Sequence, residues 1–253
     1  MSATRLRGRT HDQCRRVVCE LSVLSRADGS AQWSQDDTSV LAAVYGPRQA
    51  PQQKEDAELA VIEVVFKPRG GLQGSVDKEN EVIIRSTLEA VVMLGQHPRT
   101  SITVVLQVMQ EDGSVLACAC NAACAALVNA GVPMRCMFAC VSCVVDVMGG
   151  MLLDPDSKEE QAACATMLWG FTSSFEAQET AAATTKPQPV VGEGALLCHT
   201  WPGAASVIQQ AGPKPTGSLQ CDSLLDTFDL SRLACRQLAA FQRAAFLKSL
   251  GGG

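Results

Sequence analysis

The segments LAVIEVVFK (59–67), DKENEVIIRSTLEAVVML (77–94) and SITVVLQVM (101–109) decide the fold. In the first, apolar side chains stand at every second position from Ile62 to Phe66, which predicts a strand with one buried face. In the second, apolar residues recur at intervals of three and four, which predicts an amphipathic helix. The third is rich in β-branched residues and predicts another strand. A strand, a helix and a strand in this order indicate a layered domain that mixes sheet and helix.

The same mixture of elements extends upstream and downstream of this unit. Upstream, a strand is predicted at 38–45 and is expected to end at Gly46-Pro47. Downstream, the alanine-rich segment 121–129 predicts a packed helix. Residues 163–171 fit a strand or a helix, and a capping box of Ser157 with Glu160 favours a helix locally. The predicted class is α+β, with layered mixed β-sheets packed around helices and a C-terminal helix.

Composition divides the chain into four parts. Residues 1–16 form a basic N-terminal arm, and residues 17–177 form the predicted domain core. Residues 178–221 are rich in Ala, Thr, Pro, Gly and Gln with little periodicity, which predicts a low-complexity insertion or loop. Residues 222–253 carry an apolar stripe that predicts a helix packing on the core. The arginines of the arm fit either a nucleic-acid contact or a frayed terminus: Arg5, Arg7, Arg9, Arg15 and Arg16.

Charge and composition exclude several classes of protein. The net charge of −5 and the pI of about 5.3 exclude a polycation, so any contact with nucleic acid must come from local basic patches. We expect no membrane span, because the sequence lacks a run of eighteen apolar residues. The twelve cysteines lie mostly in apolar segments, and we expect no signal peptide before them. We therefore expect core thiols rather than disulfides or a metal site.

Two groups of residues are candidates for chemistry. Gly113 and Ser114 stand between a predicted strand and a helix, where free main-chain N–H groups can bind phosphate. Asp154, Asp156 and Glu160 form an acidic group that could bind hydrated magnesium or supply a general acid. Both patterns have a plainer interpretation. Most strand-to-helix turns bind no anion, and most acidic loops are merely solvated.

Five basic residues are candidates for RNA binding. Lys67, Arg69, Lys78, Arg85 and Arg99 lie near the predicted ends of strands and helices, where together they could follow a phosphate backbone. Taken singly, each fits a solvated charge equally well. Aromatic residues make up only 4% of the chain, so stacking of bases on aromatic rings is not predicted.

Several segments together resemble the RNase PH family, and their order and spacing agree from about residue 17 to residue 175. They are LSRADGS (24–30) with DTSVLAAVYGP (37–47), HPRT (97–100), NAACAALVNAGVPMR (121–135) and LLDP (152–155). The resemblance implies an RNase PH-like fold. It also implies assembly with other RNase PH-like subunits into a six-membered ring of the RNA exosome, with a central channel for single-stranded RNA. Nucleus, nucleolus and cytoplasm are the implied locations.

The resemblance also implies a reaction, and the sequence departs from the residues that it needs. Active members use inorganic phosphate to attack the 3′ end of RNA, with acidic residues for Mg²⁺ or proton transfer. Here Leu116 stands where they carry a phosphate-binding arginine, and Glu160 and Thr166 stand where they carry two acidic residues. Two functions stay open. One is a ring subunit that binds RNA and whose phosphorolytic site is degenerate. The other is an active phosphate-dependent exoribonuclease that works as a homodimer outside the ring.

Overall fold

The computed structural model describes Arg5 and residues 8–146, 150–173, 195–202 and 221–250, with backbone only for 195–202, 221–226 and 250. The strands are β1 Val17–Leu21, β2 Gly29–Gln35, β3 Thr38–Gln49, β4 Val61–Lys67, β5 Thr100–Gln110, β6 Met137–Val145, β7 Met151–Leu153, β8 Ala165–Ser173 and β9 Ala195–Pro202. The helices are α1 Ser75–Val91, α2 Val115–Asn129, α3 Ser157–Ala162 and α4 Cys221–Leu250, and a 3-10 turn covers Leu94–Gln96.

The strands form two sheets. The first has the order β1-β2-β3-β5-β4, and the second has the order β7-β6-β8-β9. Strands β4 and β5 are parallel and are joined through α1, whereas the other neighbouring strands in these two sheets are antiparallel. This arrangement confirms the predicted α+β class with mixed sheets, helices between and beside them, and a C-terminal helix.

Helix α2 lies in the core between the two sheets. Every side chain from Ala117 to Leu127 is buried, and the helix packs against β2 and β3 on one side and β6 on the other. Its alanine and cysteine side chains are small, so both sheets can approach the helix closely. Helix α4 packs on β6 and β8, and the ring of Phe241 meets Trp33 of the first sheet edge-on at 5.8 Å between centroids.

Helix α1 confirms the helix that the periodicity of 77–94 predicts, but it begins and ends earlier than predicted. The helix begins after Gly74, whose main-chain N–H donates to the carboxylate of Asp77 at 2.7 Å. It ends at Val91 because the backbone of Val92 is extended and forms a bridge with Met134. The predicted end at Gly95 and Pro98 is therefore too late, since a tertiary contact stops the helix before those residues do.

Two other predicted boundaries are wrong. Strand β3 does not end at Gly46-Pro47 but continues to Gln49, with an irregular register between Tyr45 and Arg48. Proline is tolerated there because a bulge leaves its missing N–H out of the ladder. Helix α2 begins at Val115 rather than at residue 121, because the preceding Val, Leu and Cys side chains also pack in the core.

The segment after β7 contains both a helix and a strand. The N-cap of α3 is Asp156, whose carboxylate accepts from the N–H of Lys158 and Glu159, so the predicted box of Ser157 with Glu160 is one residue too late. The chain then enters β8. Strand β9 lies within the stretch 178–221, for which composition predicts an insertion. Its apolar residues do not alternate with polar ones, so the sequence pattern does not predict this strand. The remainder of 178–220 falls outside the described residues.

The ten cysteines whose side chains the structure describes are free thiols, and six of them are buried: Cys118, Cys120, Cys124, Cys140, Cys143 and Cys235. Burial raises the pKa of the Cys124 thiol to about 12, so it stays protonated near neutral pH. These thiols act as small apolar side chains, which confirms the prediction of core packing. Within the described residues, no helix combines the length and the apolar character that a membrane crossing needs.

Candidate active site

The turn between β5 and α2 packs directly against the segment that follows β7. Gly113 has a φ of +78°, a conformation that glycine adopts without steric cost. A Cβ at this position would lie 2.6 Å from the carbonyl carbon of Asp156 and 2.7 Å from the oxygen of Pro155. The main chains of the two segments therefore touch, and the hydroxyl of Ser114 donates to the same Pro155 oxygen at 2.9 Å.

The main-chain N–H at the start of α2 already has an anionic partner. Ser114 N–H donates to Oε1 of Glu160 at 2.7 Å, so a carboxylate of the chain occupies the position where a helix N-terminus favours an anion. Burial raises the pKa of Glu160, and the hydrogen bond from Ser114 opposes that rise. We call the space in front of Ser114 N–H the anion position.

Asp154 is held by Arg15. The guanidinium of Arg15 donates to Asp154 Oδ1 from Nε at 3.1 Å and from Nη2 at 2.7 Å, and Arg15 N–H donates to Oδ2 at 2.8 Å. The remaining donors of Arg15 reach the hydroxyl of Thr38 and the carbonyl oxygens of Asp112 and Gly113. Burial alone would lower the pKa of Arg15, but the contacts with Asp154 more than reverse that effect.

Two further arginines of the N-terminal arm hold the loop beside the acidic group. Arg5 donates to both carboxylate oxygens of Glu159, from Nε at 2.9 Å and from Nη2 at 2.7 Å. Arg9 donates to the carbonyl oxygen of Asp154 at 3.0 Å. Burial by itself would raise the pKa of Glu159, but the hydrogen bonds from Arg5 and from the main chain hold it below its usual value.

Arg5, Arg9 and Arg15 therefore anchor the arm to the folded domain, whereas Arg16 is exposed. Arg5 and Arg15 are buried, which contradicts their interpretation as part of a solvent-facing basic patch or a frayed end. Their carboxylate partners lie 154 and 139 residues further along the chain, so no local spacing points to them. Arg7 falls outside the described residues.

The structure brings the predicted phosphate turn and the predicted acidic residues into one place. Gly113 and Ser114 contact the loop of Asp154, Asp156 and Glu160, as the two patterns together would require. Each carboxylate, however, has a partner within the chain: Asp154 has Arg15, Asp156 caps α3, and Glu160 accepts from Ser114. Across residues 8–146, 150–173 and the rest of the described chain, no three or more His, Cys, Asp or Glu side chains are grouped to hold a metal ion.

The two positions that depart from the family pattern also lie in ordered structure. Leu116 is the second residue of α2 and packs, half-buried, against the core. Thr166 is the second residue of β8, where it pairs with Val144 of β6 and with Trp201 of β9. Neither side chain can provide the positive charge or the carboxylate that phosphorolysis would use there.

The five basic candidates are all exposed but do not form one patch. Lys67, Arg69 and Lys78 lie close along the chain at the carboxyl end of β4 and the first turn of α1. Arg99 precedes β5 at the other end of the parallel pair, on the order of 25 Å from Lys67 by strand rise, and its Nε is 3.6 Å from Glu55. Arg85 lies in the middle of α1 and borders a groove beside β4.

Comparisons with known proteins agree with this fold. The family model described as "3' exoribonuclease family, domain 1" (RNase_PH) matches residues 13–133. A protein of Arabidopsis thaliana, the "Exosome complex exonuclease RRP46 homolog", is 36% identical over 98% of both chains. The protein of the same name from Oryza sativa subsp. japonica is 45% identical over 64% of this chain and 68% of that relative.

A solved structure gives the same result in three dimensions. The crystal structure of rice (Oryza sativa) Rrp46 superposes with a TM-score of 0.77 at 33% identity, and the match covers 93% of this chain and 96% of that one. The resemblance drawn from the sequence segments is thereby confirmed. The chain belongs to the RNase PH family of 3′ exoribonucleases, in which Rrp46 homologues of the exosome are among its relatives.

Proposed function

We propose that this protein is an RNase PH-like ring subunit of the RNA exosome that binds single-stranded RNA for 3′→5′ processing and decay. Its own phosphorolytic site is degenerate in this proposal. The relatives that match over most of the chain are named as exosome proteins, and the rice Rrp46 structure has the same fold. Its partners would be other RNase PH-like subunits and RNA, and its locations nucleus, nucleolus and cytoplasm.

The occupied anion position is the observation that carries the degenerate site. In an RNase PH family reaction inorganic phosphate must bind as an anion, and the N–H of Ser114 already donates to the Glu160 carboxylate at 2.7 Å. Phosphate would have to displace the Glu160 carboxylate. If the displaced carboxylate stayed nearby, its negative charge would repel the phosphate. Leu116 offers no guanidinium to compensate, because an aliphatic side chain forms no charge-assisted hydrogen bond.

The other two carboxylates support the same conclusion. Asp154 is neutralised by a buried guanidinium, and Asp156 is committed to the start of α3. Releasing either one to bind Mg²⁺ would leave a buried arginine or main-chain N–H groups without a partner, which is costly. Both residues thus support the structure of the loop rather than metal-dependent chemistry in this proposal.

One observation favours the alternative, an active phosphate-dependent 3′→5′ exoribonuclease that works as a homodimer. Burial raises the pKa of Glu160, which brings this carboxyl group closer to the range in which a general acid is effective. In that case Glu160 would donate a proton at the reacting end, and inorganic phosphate and Mg²⁺ would be required.

The basic residues at the carboxyl end of β4 support RNA binding. Lys67, Arg69 and Lys78 are exposed at one end of the sheet, and phosphate contacts from such residues need no base specificity. Arg85 and Arg99 would contact a different part of the same strand of RNA or a neighbouring one, because they lie elsewhere on the surface.

The test incubates the full-length protein with 3′-extended single-stranded RNA and Mg²⁺, with and without inorganic phosphate, and resolves the products. We expect bound but intact RNA in both conditions. Phosphate-dependent release of nucleoside diphosphates that disappears in Glu160→Gln would contradict the degenerate site and establish the alternative. Absence of RNA binding at low salt would contradict the RNA-guiding role itself.

A further inference from the structure

Strand β4 forms an edge of the five-stranded sheet, since it pairs with β5 on one side only. Along a strand, the main-chain N–H and C=O groups of successive residues point alternately to its two sides. Two contacts fix which residues face away from β5. Ala60 N–H donates to the carbonyl oxygen of Leu94 at 3.0 Å, and Phe66 N–H donates to Oε1 of Glu81 at 2.8 Å.

Ile62 and Val64 have the same parity as Ala60 and Phe66, so their main-chain polar groups also face away from β5. The two ends of the edge are closed, because the 3-10 turn covers Ala60 and α1 covers Phe66. In the part of the chain that the structure describes, nothing forms a hydrogen bond with the outward N–H and C=O groups of Ile62 and Val64. The middle of the edge is thus an open hydrogen-bonding template.

A groove of about 310 Å³ runs along this part of the edge. It is bordered by Lys54 and Arg85, and Glu63 of β4 itself forms an ion pair with Lys54 at 2.6 Å. Apolar side chains are exposed in the two segments that flank the strand along the chain, since Leu59 is 45% exposed and Leu72 is 90% exposed. An open edge with flanking apolar residues is suited to an added strand.

We propose that this edge binds an extended strand of a different protein chain, which adds to the sheet beside β4. The bound strand would exchange main-chain hydrogen bonds with Ile62 and Val64. Its residue opposite Glu63 would be neutral or basic, because a like charge directly across a strand pair is destabilising. The proposal adds a binding surface to the proposed role in the ring. It rests on that role only for the expectation that the chain bound beside β4 is another subunit.

The charge of Glu63 is the reason that the partner is not a second copy. In an antiparallel pairing of two β4 edges that uses both open residues, Ile62 of one copy lies opposite Val64 of the other. The axis of that pairing passes through Glu63, so the two Glu63 residues face each other with Cα atoms about 4.5 Å apart. Shifting the register by two residues removes this contact but places a closed end of one edge opposite an open residue of the other.

The test uses the wild-type full-length protein and two nine-residue peptides, so it does not depend on the folding of a variant. One peptide copies residues 60–68, AVIEVVFKP, and the other carries the change Glu63→Lys. Hydrogen exchange of the ¹⁵N-labelled protein is followed at the amides of Ile62 and Val64. The amide of Val65 faces β5 and serves as an internal control that is protected throughout.

We expect the Glu63→Lys peptide to bind at least tenfold more tightly than the wild-type peptide, and to slow exchange at Ile62 and Val64 at least tenfold at saturation. The same peptide with its corresponding two amides N-methylated should give no protection. Equal binding of both peptides, no protection by either one, or protection of Ile62 and Val64 that rises with the concentration of the protein alone would overturn the proposal. No RNA or phosphate is present, so a protein that fails the RNA test can still pass this one.

Discussion

The guanidinium of Arg15 and the carboxylate of Asp154 form an ion pair, 2.7 Å from Nη2 to Oδ1, in which the two side chains are 0% and 1% exposed. The attraction between the partners offsets hydration that each loses on burial, so neither charge can be removed alone without a large cost. We expect Asp154→Ala to lower the free energy of unfolding by about 3–5 kcal/mol, since it leaves a buried guanidinium unpaired. Urea denaturation at neutral pH measures this decrease.

An exposed pair provides the control for that prediction. Arg48 and Asp28 lie 3.0 Å apart with side chains 60% and 45% exposed, so Arg48→Ala should cost less than about 1 kcal/mol. A double change, Arg15→Met with Asp154→Leu, should recover much of the stability because no charge is then buried. If the single and double variants are equally unstable, packing and not charge accounts for the decrease.

Glu160 and Glu159 should contribute to the pH dependence of stability with opposite signs. The pKa of Glu160 is raised above its ordinary 4.5 in the folded protein, so its contribution to stability falls as pH rises from 4.5 through the folded value. Glu160→Gln should remove that fall. Between acid and pH 7, the free energy of unfolding of the variant should therefore change more favourably than that of the wild type. The glutamine oxygen can still accept from Ser114 N–H.

The pKa of Glu159 is lowered, so its stabilising effect is present above pH 4.5 and is lost as pH falls through the folded value. Glu159→Gln should therefore be less stable than wild type at pH 7, and the two should converge in acid. Denaturation curves between pH 3 and pH 8 for both variants test the pair of signs. Parallel pH profiles for wild type and Glu160→Gln would contradict the assignment to Glu160.

Gly113→Ala should destabilise the protein more than the same change at a glycine of similar backbone conformation. At Gly113 the new methyl group would meet main-chain atoms at 2.6 and 2.7 Å, in addition to the strain of φ +78°. At Gly71, with φ +76°, no atom lies within 4 Å. We expect roughly 3 kcal/mol or more for the first variant and about 1 kcal/mol for the second, from thermal or urea denaturation. Equal effects would show that the two segments are loosely packed against each other.

The salt dependence of RNA binding separates the two groups of basic residues. Lys67→Ala with Arg69→Ala should weaken binding and reduce the slope of log K against log salt concentration by about 0.7 for each phosphate that is no longer neutralised. Arg99→Ala should leave that slope unchanged if the RNA follows only the carboxyl end of β4. A reduced slope for Arg99→Ala with an unchanged slope for the double variant would move the RNA to the other end of the sheet.

The sequence predicts those strands and helices in which apolar residues recur at a regular local spacing. The alternation from Ile62 to Phe66 and the spacing of Ile84, Leu88 and Val91 are local, so strand β4 and helix α1 can be found from them. Strand β9 cannot, since its pairing with β8 comes from tertiary contact rather than from an alternating pattern of its own.

The candidate site is predicted only in part, for the same reason. The Gly113 turn and the acidic segment near Asp154 are visible as local patterns, but nothing local assigns the Asp154 carboxylate to Arg15 or the Glu160 carboxylate to Ser114 N–H. Those two contacts are the reason that we propose structural rather than catalytic roles for Asp154 and Glu160. Partner choice among buried charges depends on the completed fold, which a sequence pattern does not contain.

The ion pairs of the N-terminal arm have a consequence for synthesis. Arg15 leaves the ribosome well before Asp154, and at 5–20 residues per second the interval is roughly 7–28 s for the 139 positions between them. During that time the guanidinium of Arg15 lacks its carboxylate partner and remains hydrated. The ion pairs between the arm and the acidic loop can form only after the residues of that loop have been translated. This region therefore folds late in the synthesis of the chain.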